Sequence, residues 1–276
     1  MQNRVLVTAA TGILGKAIVE AAVGAELPVR QAVRNPAKAN PNVEAVRLDY
    51  ADAATIAPAL AGVSAMVLMA PPLDPNAPAE VAPVIAAAKA ANLEHLIFIS
   101  AFGVNHSEQA PLRIVEHLVM DSGVPFTILR PNFFMENFSE GFLARGIREQ
   151  NAIYLAAGNG ETSFISARDI AAVVVTVLQK RITGRDFDLT GPAALDHTEV
   201  AKIISEVSGR TVTYHPLTEQ QMLEGARAQG MPEPTVAYMG MLYAVVRAGF
   251  EAPVSGDVET ITGRKPMTFE AFWRTL

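Results

Sequence analysis

The amino-acid sequence predicts an α/β fold: a doubly wound parallel sheet followed by a smaller, mainly helical lobe. Up to about residue 130, short runs of Val, Ile and Leu alternate with Ala-rich stretches, which is the pattern of repeated βαβ units. The runs are almost continuously apolar, as strands covered by helices on both faces must be. After Pro131 the alternation weakens, and helical segments are separated by loops that contain Gly and Pro. We therefore expect a sheet domain over residues 1–150 and a lobe over residues 151–276, with some segments crossing between them.

Each expected element follows from a local pattern. The six expected strands are, in chain order, RVLVTA, PVRQAV, VEAVRL, AMVLMA, HLIFIS and PFTILR. Between the first two, residues 12–23 carry their apolar side chains at helical spacing, and Gly24 follows as a C-terminal stop. The same kind of pattern predicts helices at 52–60, 79–91, 167–179, 198–207, 219–228 and 236–248.

Composition and charge exclude several classes of function. The longest apolar runs, such as residues 170–178, stop short of the roughly 20 residues of a membrane-spanning helix. The first residues lead straight into a strand pattern, so we expect a soluble, cytoplasmic protein without a membrane partner. A net charge of -6 without a basic tract argues against direct nucleic-acid binding. The chain has no cysteine, and no pair of histidines has metal-ligand spacing beside a carboxylate, so we expect no metal site.

The first junction between strand and helix, VLVTAATGILG at residues 5–15, is a candidate phosphate site. A strand that turns sharply into a helix exposes the first backbone N–H groups of the helix, where the helix dipole adds positive charge. Gly12 would let a pyrophosphate approach the backbone, and Gly15 would let the helix pack closely on the strand. The pattern favours phosphate binding, and the alternative is a purely structural turn.

The end of the second strand indicates which dinucleotide is bound. An acidic residue at this place would bind the ribose of NAD, whereas a basic residue accommodates the 2′-phosphate of NADP. No Asp or Glu occurs between Leu27 and Val43; instead Arg34 ends the strand and Lys38 follows four residues later. Both can face one phosphate, and the alternative is that they are solvated surface charges. The pattern therefore favours NADPH as the cofactor.

With these residues in view, the chain resembles the NmrA-like branch of the atypical short-chain dehydrogenase/reductase superfamily. The resemblance rests on VTAATGILG, AVRNP, LDYADAATIAPALAGVSAMVLMAPP, HLIFISAFGV, GVPFTILRPNFFMENF, SARDIA, ISEVSGRTVTYHP and TGRKPMTFEAFWRTL. It implies a Rossmann fold that binds NADP(H), with more similarity to bacterial quinone and dye reductases than to fungal regulators. The chain departs from the family at Ala9, where the family has its first glycine, so the turn must tolerate a methyl group.

The resemblance also implies a role for individual residues. It places around the pyrophosphate Thr8, Thr11, Gly12, Ile13 and Leu14. It places Arg34 at the 2′-phosphate and, near the adenine, Asp49 and Tyr50. It places beside the ribose Met69, Ala70 and Pro71, and beside the nicotinamide Ser100, Ala101, Phe102, Pro131, Asn132 and Phe133. As alternatives, Asp49 caps a turn, and Phe102 and Phe133 belong to the core.

The sequence lacks the catalytic pair of typical superfamily members, a Tyr and a Lys four residues later. No Tyr lies between Tyr50 and Tyr154, and no Lys lies between Lys89 and Lys180. This absence argues against alcohol oxidation, sugar epimerisation and dehydration by the usual route. Two hypotheses remain: an NADPH-dependent reductase of quinone-like, azo or dye-like acceptors, and a non-catalytic NADP(H) sensor. No catalytic residue is assigned by the sequence.

A flat aromatic acceptor would need aromatic and amide side chains around it. The stretch NFFMENF supplies Phe133 and Asn137, and Phe102 follows the fifth strand, so these three are the candidate substrate residues. Arg113 is a weaker candidate for orienting a substrate carbonyl. In the second lobe, Met and Tyr residues between positions 222 and 243 form core, a lid, or the contact surface of a homodimer.

Overall fold

The computed structural model describes residues 4–71 and 73–276. Its strands are β1 (Arg4–Val7), β2 (Val29–Val33), β3 (Glu44–Arg47), β4 (Val63–Met69), β5 (His95–Ile99), β6 (Phe126–Pro131), β7 (Ala152–Leu155), β8 (Arg185–Leu189) and β9 (Thr213–Pro216). Its α-helices are α1 (Ile13–Gly24), α2 (Ile56–Leu60), α3 (Ala77–Ala90), α4 (Pro111–Met120), α5 (Ala144–Gln150), α6 (Ala167–Lys180), α7 (His197–Ser208), α8 (Glu219–Ala228), α9 (Glu233–Arg247), α10 (Asp257–Thr262) and α11 (Phe269–Trp273). The six strands expected from the sequence are confirmed as β1 to β6.

The main sheet is parallel throughout its described strands. Their order is β3-β2-β1-β4-β5-β6-β8. Val7 of β1 lies opposite Gln31 on β2 and Val67 on β4, so β1 and β4 are central neighbours. Because the connections run outward in opposite directions from β1 and β4, a crevice opens beyond the carboxyl ends of these two strands. In open α/β sheets this crevice is where ligands bind.

Two helical layers cover the sheet, which confirms the doubly wound fold. Successive residues of a strand point to opposite faces, so Val5 and Val7 pack with α1 and α6, whereas Leu6 packs with α2 and α3. The central strands bury apolar side chains on both faces, and this explains why they read as nearly continuous hydrophobic runs. The layers are held mainly by burial of these side chains, at about 25 cal/mol per Å² of apolar surface.

The second half of the chain returns to the sheet before it completes the lobe. Helix α6 packs against α1, and β8 pairs with β6 as the last strand of the sheet. The sequence RDFDL of β8 was not expected as a strand, because an edge strand with exposed polar positions lacks the apolar run that marks β1 to β6. Residue 150 therefore does not separate all of the sheet from all of the lobe.

The lobe has its own apolar core. Its described residues include α5, α7, α8, α9 and α11 together with a parallel pair of strands, β7 and β9, which the sequence analysis did not predict. Phe138, Phe164 and Phe269 meet edge to face, with ring centroids 5.2 to 6.1 Å apart. Among the described residues, no helix combines the length and the apolar character that crossing a bilayer requires.

Candidate functional site

The turn after β1 presents open backbone donors. Ala9 has a left-handed φ of 48°, and its carbonyl accepts the Gly12 amide at 2.9 Å. Helix α1 then begins at Ile13 without a side-chain cap. Within the described parts of the chain, the structure records no acceptor for the N–H groups of Ile13 and Leu14. Two free N–H groups at a helix N-terminus fit an anionic group such as a pyrophosphate.

Small residues are required for this turn to form. A β-carbon on Gly15 would stand 2.2 Å from the Ala9 carbonyl oxygen and 2.8 Å from the Ala10 α-carbon. A β-carbon on Gly12 would stand 3.3 Å from the same carbonyl oxygen. The helix therefore packs directly on the turn, as the glycine spacing predicted. The left-handed Ala9 accepts a conformation that costs a non-glycine residue about 1–2 kcal/mol.

Thr8, predicted to line a pyrophosphate, supports the turn from inside the protein. Its side chain is buried, and its hydroxyl accepts the Met69 amide at 2.8 Å. The Tyr50 hydroxyl donates to the Met69 carbonyl, also at 2.8 Å. Burial raises the pKa of Tyr50 to about 12, so the hydroxyl keeps its proton for this bond. The ends of β1, β3 and β4 are thus linked through the backbone of Met69.

The carboxylate of Asp49 caps the turn that follows β3. One of its oxygens accepts the Ala51 amide at 3.2 Å, and the Asp49 amide donates to the Thr55 hydroxyl at 3.0 Å. In this structure, Asp49 therefore acts as the cap of a turn, which was the alternative to a place near the adenine. Ala70 and Pro71 continue from the end of β4 and are half-buried beside it.

The basic residues after β2 lie beside α1. Arg34 is exposed, and within residues 4–71 and 73–276 no hydrogen bond or ion pair engages its guanidinium. Lys38 and Thr11 line a cavity of about 250 Å³ between α1 and the β2–β3 connection. Lys16, from the first turn of α1, lines the same cavity and was missed by the sequence analysis. Its position four residues after Gly12 was the signal available. Arg34 lies on the same connection but outside the cavity wall.

The β2–β3 connection is fixed by one side chain. Gln31 donates to the carbonyls of Asn40 and Val43 at 3.0 and 3.1 Å and accepts the Asn40 amide at 3.1 Å. These bonds hold the chain that carries Arg34 and Lys38 against the carboxyl end of β2. The cavity beside α1 therefore has one wall from the first helix and one from this pinned connection.

The ends of β5 and β6 form the other side of the crevice. Ser100 is buried, and its hydroxyl has no hydrogen-bond partner among the described residues. The Phe102 amide donates to the Pro131 carbonyl at 3.0 Å, which ties the two strand ends together. Ala101 lies between them, half-buried. A buried hydroxyl without a partner, at the carboxyl edge of the sheet, is a group that a ligand can satisfy.

Asn132 links distant segments of the chain. It is 2% exposed, and its amide nitrogen donates to the Ser163 hydroxyl at 2.8 Å and to the Glu251 carbonyl at 2.9 Å. Its amide oxygen accepts the Phe133 N–H at 2.7 Å. The side chain therefore makes its hydrogen bonds inside the protein, and its predicted place beside the nicotinamide stays a prediction. It fixes the end of β6 against the segment around residue 251.

The structure brings two of the three candidate substrate residues together. Phe133 and Asn137 line one small cavity of about 10 Å³ in the lobe, and Phe102 is not in its wall. The Phe133 ring lies 6.0 Å from the Tyr243 ring. An aromatic molecule does not fit inside a space of this size, which matches a single water. A flat acceptor would have to bind at its opening, where Phe142 is 59% exposed.

Two polar atoms face this cavity without a partner in the described protein, the Thr162 hydroxyl and Nδ1 of His197. Burial lowers the pKa of His197 to about 4, so its ring is neutral at pH 7. Its burial among Phe138, Phe164 and Tyr214 depends on contacts between segments far apart in the chain.

Arg113 is engaged by two carboxylates. Its guanidinium bonds Glu108 at 3.1 Å and the buried Glu116 at 2.9 Å. Glu116 also pairs with Arg130 at 2.8 Å, so the four charged side chains form a network that joins α4 to β6. The Met and Tyr residues of the lobe divide between core, as for Met222 and Tyr243, and surface, as for Met241.

Comparison with known proteins identifies the family. The sequence model of the NmrA-like family matches residues 1–273. The chain belongs to the NmrA-like family. The resemblance inferred from the sequence motifs is thereby confirmed over almost the whole chain.

Several proteins that are similar to this chain are named as reductases or oxidoreductases. The chain is 35% identical to the NAD(P)H azoreductase of Xenophilus azovorans, and the match covers 97% of this chain and 96% of the azoreductase. The NADPH-dependent quinone oxidoreductase of Escherichia coli, solved with NADPH, has a TM-score of 0.84 at 25% identity, covering 98% of this chain and 99% of that one. The triphenylmethane reductase of Citrobacter, solved with NADP(H), gives the same score and identity, covering 99% and 100%. The Rossmann-like fold is confirmed by these likenesses.

Proposed function

We propose that this chain is an NADPH-dependent oxidoreductase that transfers hydride to an electron-poor aromatic acceptor, such as a quinone, an azo compound or a triarylmethane dye. The observation that carries the proposal is the turn after β1, where Gly15 packs against the backbone and the first N–H groups of α1 are open beside the crevice of the sheet. The chain is also 35% identical to an NAD(P)H azoreductase. Both solved relatives described above contain NADPH or NADP(H).

The cofactor would be held by groups along the carboxyl edge of the sheet. The amides of Ile13 and Leu14 would bind the pyrophosphate, with Thr11 and Gly12 beside it. The 2′-phosphate would take charge-assisted hydrogen bonds from Arg34, with the cationic side chains that line the neighbouring cavity, Lys16 and Lys38, adding positive potential. When bound, NADPH supplies a hydride from its nicotinamide ring.

The remaining wall residues would orient the nicotinamide and the acceptor. Met69, Ala70 and Pro71 would border the ribose, and Ser100 to Phe102 with Pro131 would border the nicotinamide. The unpartnered Ser100 hydroxyl would gain a hydrogen bond there, which lowers the free energy of the bound state. Phe133 and Asn137 would position a flat acceptor at the opening of the lobe cavity.

The chemistry needs little more from the protein than orientation. An electron-poor acceptor draws hydride directly from the cofactor, so holding the two reactants in contact supplies most of the rate enhancement. This reaction is compatible with the absence of a Tyr and Lys pair from the segment between β4 and α6. The non-catalytic sensor is the competing function, because the same cofactor turn would serve it.

One titration tests the proposal. Purified protein is titrated with NADPH and with NADH, and a quinone, an azo dye or a triarylmethane dye is then added while the absorbance of the reduced nicotinamide is recorded. We expect NADPH to bind more tightly than NADH and to be oxidised as the acceptor is reduced. Tight NADPH binding without oxidation by any of the three acceptor classes would overturn the reductase and favour the sensor.

A further inference from the structure

Glu251 is a buried carboxyl group without a partner. Among the described residues, the buried carboxylates are Glu116, Glu136 and Glu251. Glu116 is paired with arginines, and Glu136 accepts the Ser166 hydroxyl at 2.9 Å and a backbone amide at 3.0 Å. Glu251 is 4% exposed, yet across residues 4–71 and 73–276 no hydrogen bond or ion pair reaches its carboxyl group. Burying a carboxyl group without a hydrogen-bond partner lowers the stability of the folded protein, so stability does not explain why Glu251 is buried here.

The backbone of Glu251 is fixed over the carboxyl edge of the sheet. Its carbonyl accepts the Asn132 side chain at 2.9 Å and the Ser163 amide at 3.0 Å. Two residues later the Pro253 carbonyl accepts the Ser163 hydroxyl at 2.8 Å. The Ser255 amide donates to the Thr190 hydroxyl at 2.9 Å. Segment 251–255 is therefore held across the ends of β6 and β8, and these bonds fix the position of the Glu251 backbone from which the side chain extends.

The side chain points toward the end of β5. Its Oε1 lies 3.8 Å from the position that a β-carbon on Gly103 would occupy. Gly103 directly follows Ser100 to Phe102, the segment proposed to border the nicotinamide. Two further buried polar atoms on this segment, the Ser100 hydroxyl and Oδ1 of Asn105, have no partner within the described chain. Polar groups left open at one edge of a crevice are typical of a functional site.

On the basis of the function proposed above, we propose that Glu251 is the proton donor to the acceptor. With an azo compound, hydride from NADPH bonds to one nitrogen, and the π-electron pair moves to the second nitrogen. That nitrogen takes the carboxyl proton of Glu251. The azo compound is reduced to a hydrazine, NADPH is oxidised to NADP+, and the Glu251 carboxylate takes up a proton from solvent.

The surroundings of Glu251 leave a substantial fraction of its carboxyl group protonated near neutral pH. Burial raises the pKa of its carboxyl group to about 7. Gly103, beside Oε1 of Glu251, carries no charge, and neither do Asn132 and Ser163, which bond the Glu251 backbone carbonyl. A carboxylic acid with a pKa near the working pH is well suited to general acid catalysis.

Two acceptors separate proton transfer from hydride transfer. An azo dye needs a hydride and a proton, whereas a triarylmethyl cation needs only a hydride to become neutral. Glu251→Gln keeps the shape of the side chain and removes the acid. We expect it to lower kcat for the azo dye about 100-fold, and to lower kcat for the cation by less than about threefold, well short of a general acid contribution. The matched control is Glu161→Gln, which changes an exposed glutamate near the same segment and should leave both rates unchanged.

A second readout does not depend on turnover. In ligand-free protein labelled with ¹³C at the Glu carboxyl carbons, the signal lost in Glu251→Gln is assigned to Glu251. We expect this signal to titrate at a higher pH than the other glutamate signals, and to shift when NADP+ is added. A signal that titrates with the exposed glutamates, or that ignores NADP+, would overturn the proposal.

The kinetic outcomes distinguish the two proposals. If the wild-type protein reduces both dyes and Glu251→Gln slows both equally or neither, Glu251 is not the proton donor, while the reductase function stands. If the wild-type protein binds NADPH but reduces neither dye and no quinone, the proposed function fails, and the role of Glu251 fails with it. If it reduces a quinone but not the azo dye, only the role of Glu251 fails. Circular dichroism of each variant confirms that it is folded before the rates are compared.

Discussion

Gly15 packs on the turn at Ala9 so closely that a β-carbon on Gly15 would stand 2.2 Å from the Ala9 carbonyl oxygen. This contact sets both the angle at which α1 leaves the turn and the direction of its first N–H groups. The proposed cofactor site at this end of the sheet therefore depends on a backbone contact, and not on the chemistry of a side chain.

Gly15→Ala should displace the turn. We expect a loss of about 1–3 kcal/mol in the free energy of unfolding, the usual cost of overpacking, together with at least tenfold weaker NADPH binding, because the N–H groups of α1 would move. Urea unfolding and fluorescence titration measure the two effects. Gly24→Ala, at the open end of the same helix with nothing within 4 Å of the added carbon, is the control. Equal effects of the two changes would contradict this account.

Ala9→Gly should be tolerated and can stabilise the turn. Ala9 has a φ of 48°. Removing its methyl group relieves about 1–2 kcal/mol of left-handed strain, and the extra flexibility of glycine in the unfolded chain offsets about 0.5–1 kcal/mol of that gain. We expect unchanged or slightly higher thermal stability and NADPH binding at least as tight as in the wild type. A large fall in melting temperature would show that the methyl group itself makes a required contact.

Arg34→Glu should change the preference between the two cofactors. The exposed guanidinium is free to bind a 2′-phosphate, and a charge-assisted hydrogen bond contributes about 1.5–3 kcal/mol. NADPH affinity should therefore fall by roughly 10- to 150-fold, while NADH affinity changes little. Calorimetric titrations with both cofactors measure the effect. Lys265→Glu makes the same change of net charge at another exposed position and controls for long-range electrostatics. An equal loss of affinity for NADPH and NADH would place the 2′-phosphate elsewhere.

Raising ionic strength gives a complementary result without mutation. Salt screens the attraction between exposed cations and a phosphate, with a Debye length of about 10 Å at 0.1 M. NADPH carries the additional 2′-phosphate, so its dissociation constant should rise more steeply with salt than that of NADH. Identical salt dependence of the two constants would count against recognition of the 2′-phosphate by Arg34, Lys16 and Lys38.

Glu251 should make stability depend on pH. Its pKa is raised from 4.5 in the unfolded chain to about 7 in the folded protein. Between these values the folded protein holds a proton that the unfolded chain releases, so the contribution to stability is present below about pH 4.5 and is lost as pH rises to about 7. The loss is on the order of 3 kcal/mol. Glu251→Gln should therefore gain stability relative to wild type between pH 4.5 and 8, measured by urea unfolding at each pH. A constant difference across this range would contradict the raised pKa.

The strands and the first turn could be predicted from the sequence because their signals are local. Strands β1 to β6 are buried on both faces, so burial by itself produces continuous apolar runs. The glycine spacing of the first turn reflects contacts between residues only six positions apart. In contrast, β8 lies at an edge of the sheet. Its exposed Arg185 and Asp186 and its half-buried Asp188 interrupt the apolar run that would mark a strand in the sequence.

Some parts of the candidate site likewise have a local signal in the sequence, and other parts do not. The fold class, the glycine-containing turn after β1 and the basic residues after β2 can be read from the sequence, because each is a short pattern with its own physical signal. Tertiary contacts alone determine that Thr8 and Asn132 make their hydrogen bonds inside the protein, that Lys16 and Lys38 line one cavity, and that Glu251 lies buried beside Gly103. These relationships join segments up to about 150 residues apart, and burial and hydrogen bonding across such distances leave no periodic trace in the chain.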